Sequence, residues 1–562
     1  MTKKDAVKAL GFTASLLELI GENEFRARAY QTAERALDNL TGNWEDLVAK
    51  GFTGVRGIGV QLASNLSEFH STGQFMPLEE LKKEIPKGVL ELFRVRGLGA
   101  KKIRVLWDAD ILSLTMLIEA AQSGQLASLK GFGLGSQKTI LEAAEFVVLS
   151  GERHLQQSAE SAFVQLSGLF PDSVRLEPAG SLRRGLETIG DLDLIVLGDH
   201  DLIFECLAPF NPVPDTQYPH LSAFLFEGLS VQLCITNAQN LGAARFVMTG
   251  SKPFLETAFA SAQTKGFALS SQGLFRGSDP LATPSESDVF RLLELAERPP
   301  ELREAEHLGR ILPTNLVQQN QILGMLHVHT NASDGSHTLR QMALAAMDLG
   351  ICYLGICDHS RSAFYANGLS IARVQEQWLE IDALNAENLG IQILKGIESD
   401  ILSDGSLDYP DEILAGFDFV VSSIHSQFTL SAAAQTARLV KAVQNPFTTI
   451  LGHPTGRLLL RRPSYEFDMQ AVLEAAREAG TIIEINANPN RLDLDWRIVL
   501  EHPKNLFAVN TDAHSTAGYL DLVYGIQAAQ KGAVTTERCI NTWSVENFVG
   551  YAKKKSIDKK TT

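Results

Sequence analysis

Two aspartates in the stretch GDLDLIV, residues 190–196, occupy alternate positions of an otherwise apolar segment. Because successive side chains of a β-strand point to opposite faces, Asp191 and Asp193 are expected to project from the same face. Neighbouring carboxylates repel each other, and a divalent cation between them relieves that repulsion. The pattern therefore predicts one part of a metal site, and phosphoryl transfer is the chemistry that such carboxylates serve.

A turn suited to phosphate binding comes just before these aspartates, in the segment AGSLRRGLETIGDLDLIVLGD, residues 179–199. Gly180 and Ser181 open a turn whose N–H groups and hydroxyl can hold phosphate oxygens, and Arg184 follows closely. Donors for the leaving phosphates and carboxylates for the metals are the two parts that nucleotidyl transfer needs. A lone DxD motif is weak evidence, whereas the combined arrangement is specific.

A second set of candidate ligands lies in the C-terminal half, where residues 322–562 contain eight of the 13 histidines. These side chains follow apolar, strand-like runs, and together they comprise six imidazoles and three carboxylates: His327, His329, Asp334, His359, Glu398, His425, His453, Asp512 and His514. The set is large enough for two or three metal ions, with Glu398 as a natural bridge. Mixed nitrogen and oxygen ligands without thiolate favour Mn²⁺ or Zn²⁺. The expected chemistry is attack of an activated water on phosphorus.

Seven strand-like runs carry these residues: 325–330, 353–360, 391–401, 418–426, 448–454, 481–487 and 506–515. Helix-like stretches such as LRQMALAAMDLG separate most of them, which predicts a parallel (β/α)7 barrel. Chemistry in such barrels takes place at the carboxyl ends of the strands, where these ligands fall. Any single histidine is more often structural, so we assign His337, His502 and the histidines before residue 322 to that class.

The first third of the chain repeats a glycine-bearing turn three times, in GVRGIGVQLASNLSEF, FRVRGLGAKKIRVLW and LKGFGLGSQKTILEAA. An apolar stripe at helical spacing follows each turn. The free N–H groups and positive dipole end of such a helix can bind a backbone phosphate of a nucleic acid, and this contact does not depend on the base sequence. The glycine pairs are Gly57/Gly59, Gly97/Gly99 and Gly133/Gly135, and Lys101 adds a positive charge at the second turn.

Composition and charge are those of a globular protein: 562 residues, 45% of them hydrophobic and 21% charged. The five cysteines form no CxxC pair, which favours a reducing cytoplasm. No secretory signal or membrane-spanning run is expected. Lysine plus arginine balances aspartate plus glutamate in the first 150 residues, so the net charge of −16 belongs to the remainder. An acidic remainder suits carboxylate metal sites, and the neutral part can still present local basic patches to nucleic acid.

Residues 1 to about 320 resemble a family X DNA polymerase, the class that contains DNA polymerase beta. The resemblance rests on the three turns, on GSLRRGLETIGDLD and on the later stretches TGSKPF and KGFALSSQGLF. It implies helix-hairpin-helix DNA binding, fingers, a palm and a thumb. It also implies metal binding at Asp191 and Asp193, and triphosphate binding at Gly180, Ser181, Arg184 and Gly190.

This chain departs from that family pattern at three places, one of which is Val247-Met248 where the family has an aromatic pair before TG. Where the family has a third palm carboxylate, the stretch GLSVQLCI places Gln232, which alternation turns toward the two aspartates. Glutamine cannot act as the base for a primer hydroxyl, so weakened nucleotidyl transfer is expected. Glu227, the nearest carboxylate, falls on the other face unless a bulge resets the register. Asn65 occupies the position of the Schiff-base lysine, which makes lyase activity doubtful.

Residues 322 to about 550 resemble the PHP domain, named for polymerase and histidinol phosphatase. The stretches that carry this resemblance include CDHS, GHPTGR, EINANPNR and DAHS, and the nine candidate ligands fall on the family's metal-ligand pattern. Arg457 and Arg491 are candidate phosphate clamps or, equally, surface salt-bridge partners. A family X polymerase followed by a PHP domain is an arrangement found in bacteria.

The resulting interpretation is a multidomain α/β DNA-repair enzyme that fills gaps and trims 3′ ends as a 3′–5′ exonuclease, as in base excision repair. Its expected ions are Mg²⁺ or Mn²⁺ at the palm and two or three Mn²⁺ or Zn²⁺ at the PHP site. Its expected partners are gapped or nicked DNA and dNTPs, and it is expected to be a cytoplasmic, nucleoid-associated monomer without membrane contact. Three alternatives stay open: a nuclease whose palm only positions DNA, a non-catalytic DNA-end-binding protein, and a small-molecule phosphoesterase.

The expected domains are the N-terminal helical domain 1–85, fingers 86–150, palm 151–236, thumb 237–305, linker 306–321, PHP domain 322–552 and basic tail 553–562.

Overall fold

The structure of this chain is a computed structural model, which describes residues 3–21, 24–38, 40, 44–151, 153–215 and 220–558. The chain divides into two compact units, Met1–Gly151 and Glu152–Thr562. Among the described helices, none combines the length and the apolar character needed to cross a membrane.

The first unit is helical and has its own apolar core. Leucine is the most frequent residue in this core. Apolar side chains at helical spacing, such as Ile103 and Leu106, bury one face of a helix in it. Short 3₁₀ helices at Leu92–Arg94 and Leu126–Ser128 lead into two of the glycine turns. The helices are α1 (Lys3–Ile20), α2 (Glu24–Asp38), α3 (Trp44–Ala49), α4 (Val60–Thr72), α5 (Met76–Glu84), α6 (Lys87–Glu91), α7 (Ala100–Asp108), α8 (Leu114–Gln122) and α9 (Leu134–Ser150).

The second unit begins with a mixed five-stranded sheet in the predicted palm region. Its strand order is β2-β4-β7-β6-β5, and β4 and β7 run parallel at its centre. The short strands β1 (His154–Leu155) and β3 (Thr188–Ile189) form a separate antiparallel sheet of two strands. The elements are β1 (His154–Leu155), α10 (Gln156–Ser167), β2 (Arg175–Pro178), α11 (Gly180–Arg183), β3 (Thr188–Ile189), β4 (Asp191–Leu197), α12 (His200–Leu207), a 3₁₀ helix (Ala208–Phe210), β5 (Val213–Pro214), β6 (Leu221–Phe226) and β7 (Leu229–Thr236).

A small α+β region follows, where the thumb is predicted. Its core contains Phe246, Phe254 and Phe290, and the buried guanidinium of Arg303 lies 5.1 Å from the centre of the Phe290 ring. Arg303 also pairs with Glu286, which balances its buried charge. The elements are α13 (Leu241–Thr249), α14 (Lys252–Thr264), β8 (Phe267–Ser270), β9 (Gly273–Arg276), β10 (Asp279–Leu281), α15 (Glu286–Leu292) and 3₁₀ helices at Pro300–Leu302 and Ala305–His307.

The C-terminal part alternates parallel strands with helices. Its elements are a 3₁₀ helix (Gln319–Gln321), β11 (Gly324–Val328), α16 (Leu339–Asp348), β12 (Tyr353–Ile356), a 3₁₀ helix (Phe364–Ala366), α17 (Ile371–Ala386), β13 (Gln392–Lys395), β14 (Glu398–Asp400), α18 (Asp411–Leu414), β15 (Val420–Ser423), α19 (Ala432–Gln444), β16 (Thr448–Leu451), α20 (Met469–Ala479), β17 (Ile482–Asn486), α21 (Trp496–Glu501), β18 (Phe507–Asn510), a 3₁₀ helix (Thr516–Asp521), α22 (Leu522–Lys531), 3₁₀ helices (Thr536–Arg538 and Ile540–Thr542) and α23 (Val545–Asp558).

These strands form two parallel sheets, β11-β12-β13 and β14-β15-β16-β17-β18. Parallel bridges link their edges, Val328 to Ala513 and His359 to Glu398. All seven strand-like runs of the sequence form strands, and Gly396 divides the third run into β13 and β14. A Cβ atom on Gly396 would lie 2.6 Å from the Ile356 carbonyl oxygen, so only glycine allows this approach.

The last helix reaches into the segment predicted as a basic tail. α23 continues to Asp558, and Lys555 is buried, with its Nζ donating to the carbonyl oxygens of Asn445 and Thr448. The start of that segment is therefore packed against the C-terminal domain. Residues 559–562 of the predicted tail lie outside the described residues.

Candidate active sites

The two palm aspartates lie on the central strand β4, beside the predicted phosphate turn. Asp193 accepts a hydrogen bond from Ala179 through its backbone carbonyl, at 2.8 Å, which places the turn against the strand. Gly180 has a φ of +53°, and a Cβ atom there would lie 1.8 Å from Oδ2 of Asp193. Glycine at position 180 is therefore required for this close approach.

The electrostatics of this corner suit a cation. Burial and then the charge of Asp191 raise the pKa of Asp193 to about 7. The buried hydroxyl of Ser181 has no hydrogen-bond partner within the described part of the chain. A carboxylate that is costly to ionise without a counter-charge, beside an unused hydroxyl, fits a bound divalent metal and a phosphate group.

Gln232 is the residue of β7 that pairs with Asp193 of β4 in the parallel ladder, and Ser230 pairs with Asp191. Residues paired in this way present their side chains on the same face of the sheet. Glu227 lies outside the strand, in the turn before β7, with a φ of +51°. The amide of Gln232 therefore lies beside the two aspartates, at the position where the sequence resemblance predicts a carboxylate.

The arginine expected to bind the triphosphate already has protein partners. Arg184 donates to Glu304 Oε1 at 2.7 Å and to the Thr249 carbonyl oxygen at 2.7 Å. Lys531 donates to the same Glu304 oxygen at 3.2 Å. The guanidinium thus joins the palm to the thumb region and to helix α22. Gly190 lies next to the exposed Arg153, since a Cβ atom there would be 3.3 Å from its Nη1.

A polar contact surface joins the palm to the C-terminal domain within the second unit. Arg497 at the start of α21 donates to Glu187 at 2.9 Å and to Glu306 at 3.1 Å. Trp496 lies beneath, with the Lys531 ammonium 4.5 Å from its ring centre and the His307 ring stacked on it. His307 Nε2 donates to the Lys531 carbonyl oxygen at 2.7 Å. These contacts hold the two catalytic regions in one body.

The three glycine turns of the first unit each lead into a helix, and the first two have the expected glycine pairs. Helices α4, α7 and α9 begin directly after Gly59, Gly99 and Gly133, while Gly57 and Gly97 have positive φ values of +97° and +87°.

In the third turn the positive φ, +85°, belongs to Gly131, and Gly135 lies inside α9. The third structural pair is therefore Gly131 and Gly133, two residues before the expected one, because the sequence GFGLG allows two alignments. The exposed Lys101 lies in the first turn of α7, 3.6 Å from Glu18.

Five of the candidate ligands of the C-terminal domain surround a sixth, the carboxylate of Glu398. Glu398, on β14, is buried and lies within 3.6 Å of five imidazoles that come from four other strand ends. The nitrogen-to-oxygen distances to Glu398 are 3.4 Å from His327 Nε2, 3.6 Å from His329 Nε2, 2.9 Å from His359 Nδ1, 3.3 Å from His425 Nε2 and 2.9 Å from His453 Nε2. Glu398 is thus positioned to bridge cations.

A second group surrounds His329 on the side of the loop that follows β11. Asp334 lies 3.5 Å from His359 Nε2 and 3.4 Å from His514 Nε2. Asp512 lies 3.1 Å from His329 Nε2. Eight of the nine candidates, all except His453, form three overlapping groups that could each hold one ion: His329, Asp334, His359 and His514; His327, His329 and Asp512; and His359, Glu398 and His425.

Burial and neighbouring charges shift the pKa values of the imidazoles in this cluster strongly, in opposite directions for different rings. Burial lowers the pKa of His359, but Glu398 and Asp334 outweigh it and raise that pKa to about 10. Burial, followed by the neighbouring His514, lowers the pKa of His329 to about 4. Nδ1 of His329 is buried without a hydrogen-bond partner among the described residues, and Nε2 of the same ring faces the Asp512 carboxylate at 3.1 Å. Unpartnered imidazole nitrogens facing buried carboxylates fit divalent metals.

Three buried carboxylates that the sequence pattern does not predict contact the candidate ligands or the loop that carries one of them. Glu484 on β17 lies 2.7 Å from His327 Nδ1 and accepts from the His453 amide at 2.8 Å. Asp400 lies 2.6 Å from His425 Nδ1, and Asp358 accepts from the Thr330 amide in the loop that carries Asp334. These residues fix the rings and the loop, as partners of metal ligands do.

The two candidate phosphate clamps have different surroundings. Arg457 donates to the carbonyl oxygens of Arg491 and Leu492 and to Asp495 at 2.7 Å, which makes it a structural clamp of the loop after β17. Arg491 lies at the metal-ligand cluster, with its Nε 3.5 Å from Asp512 Oδ2. Arg491 is therefore the better placed of the two for a phosphate.

Family models match three parts of this chain. Residues 1–75 match a helix-hairpin-helix domain, residues 244–304 match the DNA polymerase beta thumb, and residues 325–488 match the PHP domain. The matches agree with the helical first unit, the thumb fold and the strand-end histidines. They define the class as a DNA polymerase of the beta type joined to a PHP domain.

Individual relatives narrow this class. A Bacillus subtilis protein named DNA polymerase/3′-5′ exonuclease PolX is 34% identical over 578 residues, covering 99% of this chain and all of that protein. A probable phosphatase from Caldanaerobacter subterraneus is 32% identical over 28% of this chain and 60% of its own. A probable phosphatase from Thermoanaerobacter sp. is 26% identical over 41% of this chain and 94% of its own. The chain belongs to the PolX family of DNA polymerases with a C-terminal PHP domain.

Proposed function

We propose that this chain is a DNA-repair enzyme with two active centres, a 3′–5′ exonuclease in the PHP domain and a gap-filling nucleotidyltransferase in the palm. The single observation that carries the proposal is the buried Glu398 carboxylate with five imidazoles within 3.6 Å of it. The Bacillus subtilis relative, which the chain matches over its full length, is named for the same pair of activities, and this supports the proposal.

In the exonuclease centre, the nine ligands hold two or three divalent cations, and Mn²⁺ or Zn²⁺ suits their imidazole and carboxylate donors best. Bound metal supplies a water activated for attack on phosphorus and neutralises the charge of the phosphate. Glu398 would be the ligand shared between bound ions, and Glu484 and Asp400 orient the rings of His327 and His425. Arg491 lies beside Asp512 and can contact a phosphate oxygen.

In the palm, Asp191 and Asp193 hold Mg²⁺ or Mn²⁺, and the turn at Gly180, Ser181 and Gly190 binds the triphosphate of an incoming dNTP. Arg184 acts mainly by holding the turn against Glu304, since two of its donors are already engaged. With Gln232 beside Asp193, the third metal ligand is neutral and no carboxylate is available as a base. We therefore expect slow nucleotidyl transfer next to an efficient nuclease.

The DNA-binding turns complete the proposal. The exposed glycines Gly59, Gly99 and Gly133 directly precede the helices that follow, and Lys101 lies in the first turn of α7. Such turns hold the backbone of gapped or nicked DNA in any sequence. We place the protein in the cytoplasm, associated with the nucleoid, and expect a monomer.

Two alternatives remain testable: a nuclease whose palm only positions DNA, and a DNA-end-binding protein in which both centres are idle. A gapped duplex with labelled primer, assayed with Mg²⁺, Mn²⁺ and Zn²⁺ in turn, separates them. Asp193→Ala should abolish extension and leave 3′ trimming intact, and His329→Ala should do the reverse. Wild-type protein that trims without extending identifies the first alternative. Wild-type protein that binds the gap without trimming or extending identifies the second and overturns the proposal.

A further inference from the structure

Two large aromatic side chains are exposed in the loop that follows β12. Phe364 and Tyr365 belong to the short 3₁₀ helix Phe364–Ala366, and they are 88% and 70% exposed. Their neighbours Ala363 and Ala366 are buried. The loop therefore packs its small residues inward and presents both rings to solvent, which is unusual for side chains that gain from burial.

The loop is firmly anchored, so this exposure does not come from loose packing. The Ser362 amide donates to Asp408 at 2.7 Å, and Asn367 donates to the Ala332 carbonyl oxygen at 3.1 Å. Ser362 Oγ donates to Asp400 Oδ2 at 2.7 Å. The other oxygen of Asp400 lies 2.6 Å from Nδ1 of the ligand His425. One buried carboxylate thus positions both the aromatic loop and a metal ligand.

The rings border the candidate nuclease centre. The centre of the Tyr365 ring lies 6.1 Å from that of His359 and 6.4 Å from that of His425. A stacked strand advances about 3.4 Å per nucleotide, so a base within two steps of a phosphate at these ligands reaches the rings. Arg361 in the same loop keeps half of its side chain exposed and pairs with the buried Asp408 at 3.2 Å, which adds a further anchor to the loop.

We propose that Phe364 and Tyr365 form the stacking subsite for an unpaired base at the 3′ end of the DNA substrate. The inference rests on the proposed exonuclease function and names the form in which that centre takes its substrate. Aromatic rings accept any base by its face, so the subsite tolerates every sequence. A base inside a duplex is already stacked and paired, so the subsite selects ends that are frayed or single-stranded.

The test compares two single-stranded oligonucleotides that differ only at the 3′ terminus, one with a normal nucleotide and one with an abasic residue. Wild-type protein should have the lower KM for the normal end. Phe364→Ala/Tyr365→Ala should lose that preference, by about 5- to 150-fold for one stacked base. The abasic substrate should be cleaved equally by both proteins. Tyr365→Phe keeps the ring and should behave as wild type.

Leu379→Ala is the matched control, because Leu379 is an equally exposed apolar side chain on α17, 71% exposed, outside the loop. Metal content per protein should be the same in all variants, which excludes a disturbed ligand cluster. Equal KM values of the double variant and wild type on the normal end would overturn the inference and leave the rings as a contact surface for another protein.

A binding measurement separates this inference from the proposed nuclease function. Quenching of a 3′-terminal 2-aminopurine on mixing with metal-free protein reports stacking without turnover. Wild-type quenching that the double variant loses supports the subsite even if neither oligonucleotide is cleaved, in which case the nuclease proposal alone fails. Cleavage without any quenching in wild-type protein would overturn the subsite alone.

Discussion

Gln232 pairs directly with Asp193 across the parallel ladder of β4 and β7, so that an uncharged amide stands beside the palm carboxylates. Burial and then the charge of Asp191 raise the pKa of Asp193 to about 7, although the charge of Arg184 opposes this shift. A third carboxylate would strengthen metal binding there and could accept the proton of the primer hydroxyl.

Replacing Gln232 by aspartate should therefore increase primer extension. A general base contributes about 10² to 10⁴-fold where it is well placed, and we expect a gain of at least about tenfold in kcat on a gapped duplex with Mg²⁺. The measurement uses a His329→Ala background, so that trimming does not erase the product.

Ala223→Asp is the control for this experiment. Ala223 lies on the next strand, β6, where it pairs with Gln232, so this substitution adds the same charge one strand farther from Asp193. Gln232→Glu keeps the original side-chain length in case aspartate is too short. Extension that stays unchanged in both acidic variants at position 232 would show that the palm lacks more than this one carboxylate.

Glu484 should act on the nuclease centre through His327 and not through the substrate. Its carboxylate fixes the His327 ring at 2.7 Å and the His453 backbone at 2.8 Å. Glu484→Gln should weaken Mn²⁺ binding by about 10- to 100-fold, as loss of a ligand's partner does, with kcat recovering at saturating metal.

Calorimetric titration of Mn²⁺ into metal-free protein measures this effect directly. Asp418→Asn is a matched control, because Asp418 accepts from the Lys395 amide just before β15 begins, away from the carboxyl ends that carry the ligands. Wild-type affinity in Glu484→Gln would mean that His327 keeps its orientation without the carboxylate.

The clustering of the candidate ligands could be predicted from sequence because of how parallel strands are arranged. His359, His425 and His453 each follow an apolar run, and the carboxyl ends of parallel strands meet at one edge of the sheet. Glu484 could not be predicted in this way, since it lies inside the buried strand β17 and its partner His327 is 157 residues earlier in the chain.

The role of Arg184 shows the same limit. Its position next to Gly180 and Ser181 predicts phosphate binding, and local sequence contains no sign of Glu304, 120 residues away, or Lys531. The fold class, the repeated turns and the ligand set follow from local patterns. The ion pairs that join the palm to the C-terminal domain depend on packing between distant segments, which a single sequence does not reveal.

His307 should make the stability of the second unit sensitive to acid. Burial lowers its pKa below 6.5, although the bond to the Lys531 carbonyl oxygen opposes that shift. The unfolded chain therefore binds a proton at a higher pH than the folded protein does. The free energy of unfolding should fall as pH decreases through about 6.5, until the folded-state pKa is reached.

His307→Phe keeps a ring against Trp496 and removes the titrating group. Urea unfolding at pH 7.5, 6.5 and 5.5 should show a smaller loss of stability for this variant than for wild type. The difference between the two proteins cancels the titration of the metal-ligand histidines, which both contain. Parallel pH profiles would show that His307 takes up no proton on unfolding in this range.

Gly131 should matter more for DNA binding than Gly135, although the sequence pattern predicts Gly133 and Gly135 as the glycine pair of the third turn. Gly131 has a φ of +85°, like Gly97 at +87°, and an alanine in this region costs about 1–2 kcal/mol. Gly135 lies within the first turn of α9, where an added Cβ atom meets nothing within 4 Å. Gly131→Ala and Gly97→Ala should each weaken binding to a gapped duplex several-fold, by fluorescence anisotropy at fixed salt, and Gly135→Ala should leave it unchanged. A loss in Gly135→Ala alone would restore the alignment of the third turn on Gly133 and Gly135, because only then would the phosphate contact residue 135.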